Sequence, residues 1–169
     1  MSEKPNSKEI AARSERMVAV FQSAIGKPMK EFPVPPFAKW LNGVLVDAKR
    51  GEVEIEYEVR PEMANPTGLL HGGMQCGMMD DCIGVMCATL GYEGFLLSID
   101  LHVDYLGKVK VGEKVKARGF LVREGRNIVH CAAEIRDLHG NLISTANSNL
   151  LLTTFRPDYV KMSEKIKNV

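Results

Sequence analysis

The chain has 169 residues, 45% of them hydrophobic and 25% charged, with a net charge of +1. That length supports one domain with a sizeable core and leaves little room for two independent ones. The balanced charge gives no electrostatic case for nucleic acid or for an anionic membrane surface as partner, although a local basic patch for a small anion stays open.

Residues 1–9 are polar and no apolar run follows them, so no signal peptide is expected and the chain reads as cytoplasmic. Ile10, Met17, Phe21 and Ala24 recur at helical spacing and predict an amphipathic helix over 6–25. Asn6 and Glu9 resemble a capping box at its start, and Gly26 and Pro28 end it. Four prolines make 27–36 an extended connector, so 1–36 form an N-terminal arm that packs over part of a sheet. Strand patterns follow. Residues 40–48 are apolar. Residues 52–60 alternate strictly, with Val53, Ile55, Tyr57 and Val59 on one face and Glu52, Glu54, Glu56 and Glu58 on the other. Strict period two means one buried face and one wet face. Residues 63–70 hold Asn65-Pro66 and Gly68 and read as a loop.

Residues 71–90 carry no proline and end at Gly91. They are apolar nearly all round, which predicts a helix enclosed by protein on most sides and not a membrane span, since Asp80 and Asp81 interrupt it. Three of the four cysteines (Cys76, Cys82, Cys87) lie in it and Cys131 lies beyond; without a C-x-x-C pair they read as free buried thiols, not as zinc ligands. Four strands are then predicted over 96–106, 113–122, 127–136 and 141–155, joined by short turns that make them antiparallel neighbours. Residues 157–169 are polar and lysine-rich and read as a frayed tail. The order of helix, two strands, long buried helix and four strands predicts an α+β domain: a single antiparallel sheet packed on one central helix.

Four features carry chemistry. Asp80 and Asp81 sit mid-helix among Met78, Met79, Cys82 and Ile83, where burial of a carboxylate costs several kcal/mol or raises its pKa. Either can reach a solvent-facing stripe or a basic partner; alternatively, a perturbed carboxylate in a cleft is a candidate general base. Neighbouring helix positions point about 100° apart, so the two do not form a dyad, and spacing alone leaves open which is functional. His71-Gly72-Gly73 opens the helix, where free N–H groups and the dipole suit an oxygen gaining negative charge and glycines admit a ligand close to the backbone. The bland alternative is a histidine cap on a flexible helix start. Asn65 by itself reads as a turn residue and Ser98 as an ordinary strand serine without a nucleophile elbow.

Together, Asn65-Pro66-Thr67-Gly68-Leu69-Leu70-His71-Gly72-Gly73, six residues and then Asp80, followed by a strand from Ser98 to Leu106, resemble the phenylacetate-pathway (PaaI-type) acyl-CoA thioesterases of the hotdog superfamily. The resemblance runs over about 40–154. It implies a hotdog domain over 37–156, in which the sheet curls round the central helix. It selects Asp80 as the general base or nucleophile. It implies that the Gly72 N–H polarises the thioester carbonyl, that His71 shapes the helix start, and that Asn65 and Ser98 position substrate and water. It also implies a homodimer or a dimer of dimers, with the asparagine loop and helix start on one subunit and the aspartate on the other. One departure is the turn Gly107-Lys108-Val109-Lys110, where many relatives carry a proline. Thioester hydrolysis needs a water, a base and an oxyanion donor, so no cofactor is expected beyond the coenzyme A of the substrate. Gly73 at the site and Lys108, Lys110, Arg123 and Arg126 in or near turns are the candidates for contacting that coenzyme; each basic residue reads equally as a solvated surface charge. Two rivals stand beside this. An acyl-thioester hydratase uses a histidine paired with a carboxylate in a pattern not seen here. A non-catalytic acyl-CoA sensor gains nothing from the expected cost of burying Asp80.

Overall fold

The computed structural model describes residues 7–165. Helix α1 spans Ser7–Ser23; the expected Asn6 cap lies outside the described residues. The connector is not wholly extended. It holds a 3-10 turn at Met29–Glu31, and its last proline, Pro36, starts a short helix α2, Pro36–Leu41. Trp40 and Leu41, expected at the head of a strand, are therefore helical. Proline suits a first helical turn, and Asn42 in the left-handed conformation (φ 52°) ends it. Strands β1 (Val44–Lys49) and β2 (Glu52–Glu58) form a hairpin, and the long helix α3 runs Gly72–Thr89.

The stretch over 96–106 is two strands, β3 (Leu96–Ser98) and β4 (His102–Tyr105), followed by β5 (Lys114–Glu124), β6 (Ile128–Asp137) and β7 (Leu142–Leu152). Among the described residues these seven strands make one antiparallel sheet in the order β1-β2-β5-β6-β7-β3, with β4 also on β7. The tail is helical: α4 spans Asp158–Lys165 and buries Val160 completely, so an apolar anchor, not charge, sets its position.

The alternation in β2 does what its period requires. Val53, Ile55 and Tyr57 are at most 1% exposed, while Glu52, Glu54 and Glu56 meet Arg118, Lys116 and Lys114 across β5 at 3.0, 2.9 and 2.7 Å. Each such surface pair contributes at most about 1 kcal/mol. Their joint effect is on register, because a one-residue slip would send the glutamates into the core. Helix α3 packs on one face of the sheet and buries Met78, Met79, Cys82, Ile83 and Met86. It sits close because β5 carries Gly119 beneath it: a Cβ there would lie 3.1 Å from the carbonyl group of Cys82. Helix α1 covers the far end of α3, where Arg13 donates to the Gly91 carbonyl at 2.9 Å and Ser14 to that of Thr89 at 2.6 Å. These bonds satisfy carbonyls that the helix end leaves without intrahelical donors.

The break between β3 and β4 is a bulge. From Ser98 to His102 the edge advances four residues, while β7 opposite it goes from Leu150 to Asn147, three residues. Asp100 makes the extra residue tolerable. Its carboxylate accepts from the Asn149 backbone and side-chain N–H groups, both at 2.9 Å, and its carbonyl accepts from Ser148 Oγ at 2.6 Å. Side chains alternate along a strand, so Ser98 and Tyr105, seven residues apart, would face opposite ways in an unbroken one. The extra residue puts Tyr105 on the α3 side that Ser98 already faces.

Candidate active site

The loop before α3 is held by Asn65. Its Oδ1 accepts from Thr67 N at 2.9 Å, Thr67 Oγ1 at 2.7 Å and Leu69 N at 3.2 Å, a turn built on one side chain. Gly68, at φ 75°, completes it, and Leu70 N donates to Val109 O at 2.8 Å, which joins the loop to the turn carrying Lys108 and Lys110. His71 is the N-cap of α3: extended at φ −64° and ψ 138°, its Nδ1 accepts from Gly73 N at 2.9 Å. That ring nitrogen is the acceptor, which leaves Nε2 as the ring atom free to face the site. The Gly73 N–H is thereby spent. Among the described residues the neighbouring Gly72 N–H has no protein acceptor. Tyr105 lies over this turn, its hydroxyl 3.2 Å from Gly72 O and 3.0 Å from Cys76 Sγ. Its phenol pKa is raised, first by the bond with Cys76 and then by burial.

Farther along α3 a cleft of about 470 Å³ opens between the helix, α2 and the β3–β4 edge, lined by Phe37, Cys76, Gly77, Asp80, Ser98, Ile99, Asp100 and Leu101. Asp80 is exposed in it and accepts from Ser98 Oγ at 3.3 Å. The Phe37 ring edge seats on Gly77, where a Cβ would come within 2.7 Å of Cζ. Trp40 stacks on Phe37 (centroids 6.2 Å apart, planes at 17°), and Arg60 lies 5.0 Å over Trp40 while donating to the Trp40 and Leu41 carbonyls at 2.7 and 2.8 Å.

The two carboxylates divide differently from the sequence expectation. Asp80 lies on an open stripe of α3 with Gly73 and Gly84, and the half-buried one is Asp81. Burial pushes the Asp81 carboxyl up to about 6; the Tyr57 hydroxyl, 3.2 Å away, opposes the rise, and the charge of Asp80 adds to it. The cost of burial therefore falls on Asp81, and it no longer argues against a binding module through Asp80. Cys76 is also corrected: it is half-buried and lines the cleft, whereas Cys82, Cys87 and Cys131 are buried.

One chain does not bring all the predicted site residues together. Asn65, His71, Gly72 and Gly73 gather at the start of α3, with Lys108 and Lys110 alongside. Asp80 and Ser98 face each other in the cleft. Gly72 and Asp80 are eight positions apart on one helix, hence about 12 Å along its axis. Arg123 and Arg126 flank the β5–β6 turn, beside Glu124, whose partner Arg50 reaches Leu90 O at the opposite end of α3. Phe37 and Tyr105 escaped the sequence reading. Phe37 fell in a stretch without strand or helix period, and the bulge hid the direction of Tyr105. The glycine at position 77, in the middle of a helix, was the available sign of a close neighbour.

Among the described residues, no group of three or more His, Cys, Asp or Glu is placed to hold a metal ion, and no helix is long and apolar enough to cross a membrane. Residues 67–144 match the Thioesterase superfamily. Mouse acyl-coenzyme A thioesterase 13 is 27% identical over 107 residues, which span 62% of this chain and 75% of that protein. A phenylacetic acid degradation-related protein from Ralstonia eutropha JMP134 superposes with a TM-score of 0.67 at 28% identity, over 83% of this chain and 99% of that one. A Streptococcus mutans UA159 protein bound to acetyl CoA superposes with a TM-score of 0.64 at 21% identity, over 69% and 92% of the two chains. The matched segment runs from the loop before α3 into β7, taking in the helix and most of the sheet, so over that segment the chain is similar to the thioesterase superfamily, and its single antiparallel sheet packed on a central helix is the hotdog fold.

Proposed function

We propose that this protein hydrolyses acyl-CoA thioesters at a site shared by two copies of the chain. The observation that carries the reading is the separation of Gly72 from Asp80. A carbonyl held at one N–H must meet its nucleophile within about 3–3.5 Å, and about 12 Å on a rigid helix forbids that within one chain. A second copy with its α3 antiparallel brings its Asp80 opposite the first copy's Gly72, and the reverse, giving two equivalent sites about a two-fold axis. The outer edge of β3 has no strand partner among the described residues, and Leu97 and Ile99 beside it are 53% and 58% exposed. Such an edge favours pairing with another chain.

In each site the Gly72 N–H, at the positive end of α3, stabilises the oxygen as the carbonyl carbon becomes tetrahedral. Asp80 of the other copy takes a proton from the attacking water, and Ser98 Oγ orients that carboxylate. Coenzyme A leaves as the thiol. Lys108 and Lys110, on the turn tied to the Asn65 loop, are placed to meet coenzyme phosphates, while Arg123 and Arg126 lie toward the opposite end of α3 in the same chain. His71 Nδ1 is engaged in capping the helix, which supports a structural role for it over that of a hydratase base. The experiment is release of free coenzyme A from aryl, short-chain and long-chain acyl-CoAs by wild type and Asp80→Asn. Turnover by the wild type and a loss of 100-fold or more in the variant, about what removal of a catalytic base costs, is expected. Binding of acyl-CoA without turnover would favour the sensor.

A further inference from the structure

The first turn of α3 raises a question that the shared site does not answer. Gly72-Gly73 is the most flexible dipeptide available, yet an oxyanion donor has to be held still. The hydrogen bonds around it show how. Gly72 O can only accept, so the single proton of the Tyr105 hydroxyl goes to it, at 3.2 Å. The thiol of Cys76 must then donate to Tyr105 Oη, at 3.0 Å. At the other end of the same peptide, Gly73 N–H donates to His71 Nδ1 at 2.9 Å. One peptide group is thus gripped at its oxygen and at its nitrogen, by side chains from β4 and from the residue before the helix. The hydroxyl end of the Tyr105 ring also lies against Gly72: a Cβ at position 72 would stand 3.1 Å from Cζ and 3.2 Å from Cε1. The glycine therefore makes room for the ring that restrains it.

We propose that Tyr105 is a positioning residue, whose hydroxyl, with the His71 ring, clamps the Gly72–Gly73 peptide so that the Gly72 N–H stays aimed at the thioester oxygen. The clamp acts through Gly72 and rests on the hydrolytic reading above. It depends on the β3–β4 bulge, which turns Tyr105 to the helix side of the edge.

The test is Tyr105→Phe, which keeps the ring and removes the hydroxyl. Steady-state kinetics, thermal melting and amide hydrogen exchange at Gly73, read by NMR, are compared with wild type. Loss of one neutral hydrogen bond that matters in the transition state lowers kcat about tenfold, with KM within about twofold and melting unchanged. Gly73 exchange becomes faster. An active wild type whose Tyr105→Phe variant keeps its kcat within about twofold overturns the positioning role and leaves thioester hydrolysis standing. A loss of rate that merely follows a loss of folded protein overturns it as well. A folded wild type that hydrolyses no acyl-CoA removes the hydrolytic reading, and the clamp's catalytic role goes with it.

Discussion

If the site is shared as proposed, two differently damaged chains repair one another. The first damage is Asp80→Asn, which keeps the shape of the acid and removes its basicity. The second must delete a backbone N–H, and Gly72→Pro does so at a position prepared for it. Gly72 is the first residue of α3, where proline is tolerated, and His71 before it is already extended at ψ 138°, the conformation a following proline demands. The proline ring must share space with Tyr105, whose Cζ would be 3.1 Å from the new Cβ, so a shift of a few tenths of an ångström is expected. Each variant alone lacks one component in every site. When the two are mixed in equal amounts, unfolded and refolded together, an intact site needs its Gly72 from an Asp80→Asn chain and its Asp80 from a Gly72→Pro chain. Each condition holds for half of the sites, so about a quarter of wild-type turnover returns, whether or not dimers associate further. The assay is coenzyme A release against the mixing ratio, with a maximum at equal amounts. Activity that stays at the mean of the two parents at every ratio would refute the argument from helix length and place both groups within one chain.

Two further predictions concern the fold around the site. Asp81, raised from its ordinary 3.8 to about 6, binds its proton more tightly in the folded chain than in the unfolded one, so its contribution to stability is greatest below pH about 4, falls as pH rises through about 6 and is flat above. The deficit at neutral pH is at most about 3 kcal/mol, and partial solvent screening reduces it to about 1–2 kcal/mol. Asp81→Asn, which can still accept from Tyr57, should therefore melt higher than wild type at pH 8 with a gain that shrinks toward pH 4; a gain independent of pH would contradict the assignment. Gly119→Ala places a methyl against the main chain of Cys82 and Ile83, which cannot swing aside as a side chain would. Overpacking of this kind costs about 1–3 kcal/mol, and denaturant unfolding showing less than about 0.5 kcal/mol would mean that α3 lifts freely from the sheet.

How much of this was legible beforehand can be followed residue by residue. Strict alternation specified β2 and its buried face, because period two leaves no other way to bury Val53, Ile55 and Tyr57 while wetting the glutamates. The proline-free apolar run specified α3, and short turns specified an antiparallel sheet. The grouping of Asn65, His71, Gly72, Asp80 and Ser98 came from motif resemblance, since composition and period alone left Asp80 and Asp81 indistinguishable. Only the folded chain separates those two: helical rotation sets Asp80 on the open stripe beside Ser98 and turns Asp81 toward Tyr57. The reading of 40–48 as a strand failed at Trp40 because Pro36 nucleates a local helix, a preference the apolar count does not register.

What the sequence by itself determined is what local period and covalent geometry govern: the long helix, the alternating strands and the length of α3 that holds Gly72 away from Asp80. What only the tertiary structure decided is which side chains meet across those elements. The bulge at Asp100 depends on hydrogen bonds to Asn149, forty-nine residues on, and it alone turns Tyr105 toward Gly72 while Ser98 already faces Asp80. A one-residue insertion in a ladder leaves no periodic trace in a short stretch of sequence, because its stabilising partners are distant in the chain and adjacent only in space.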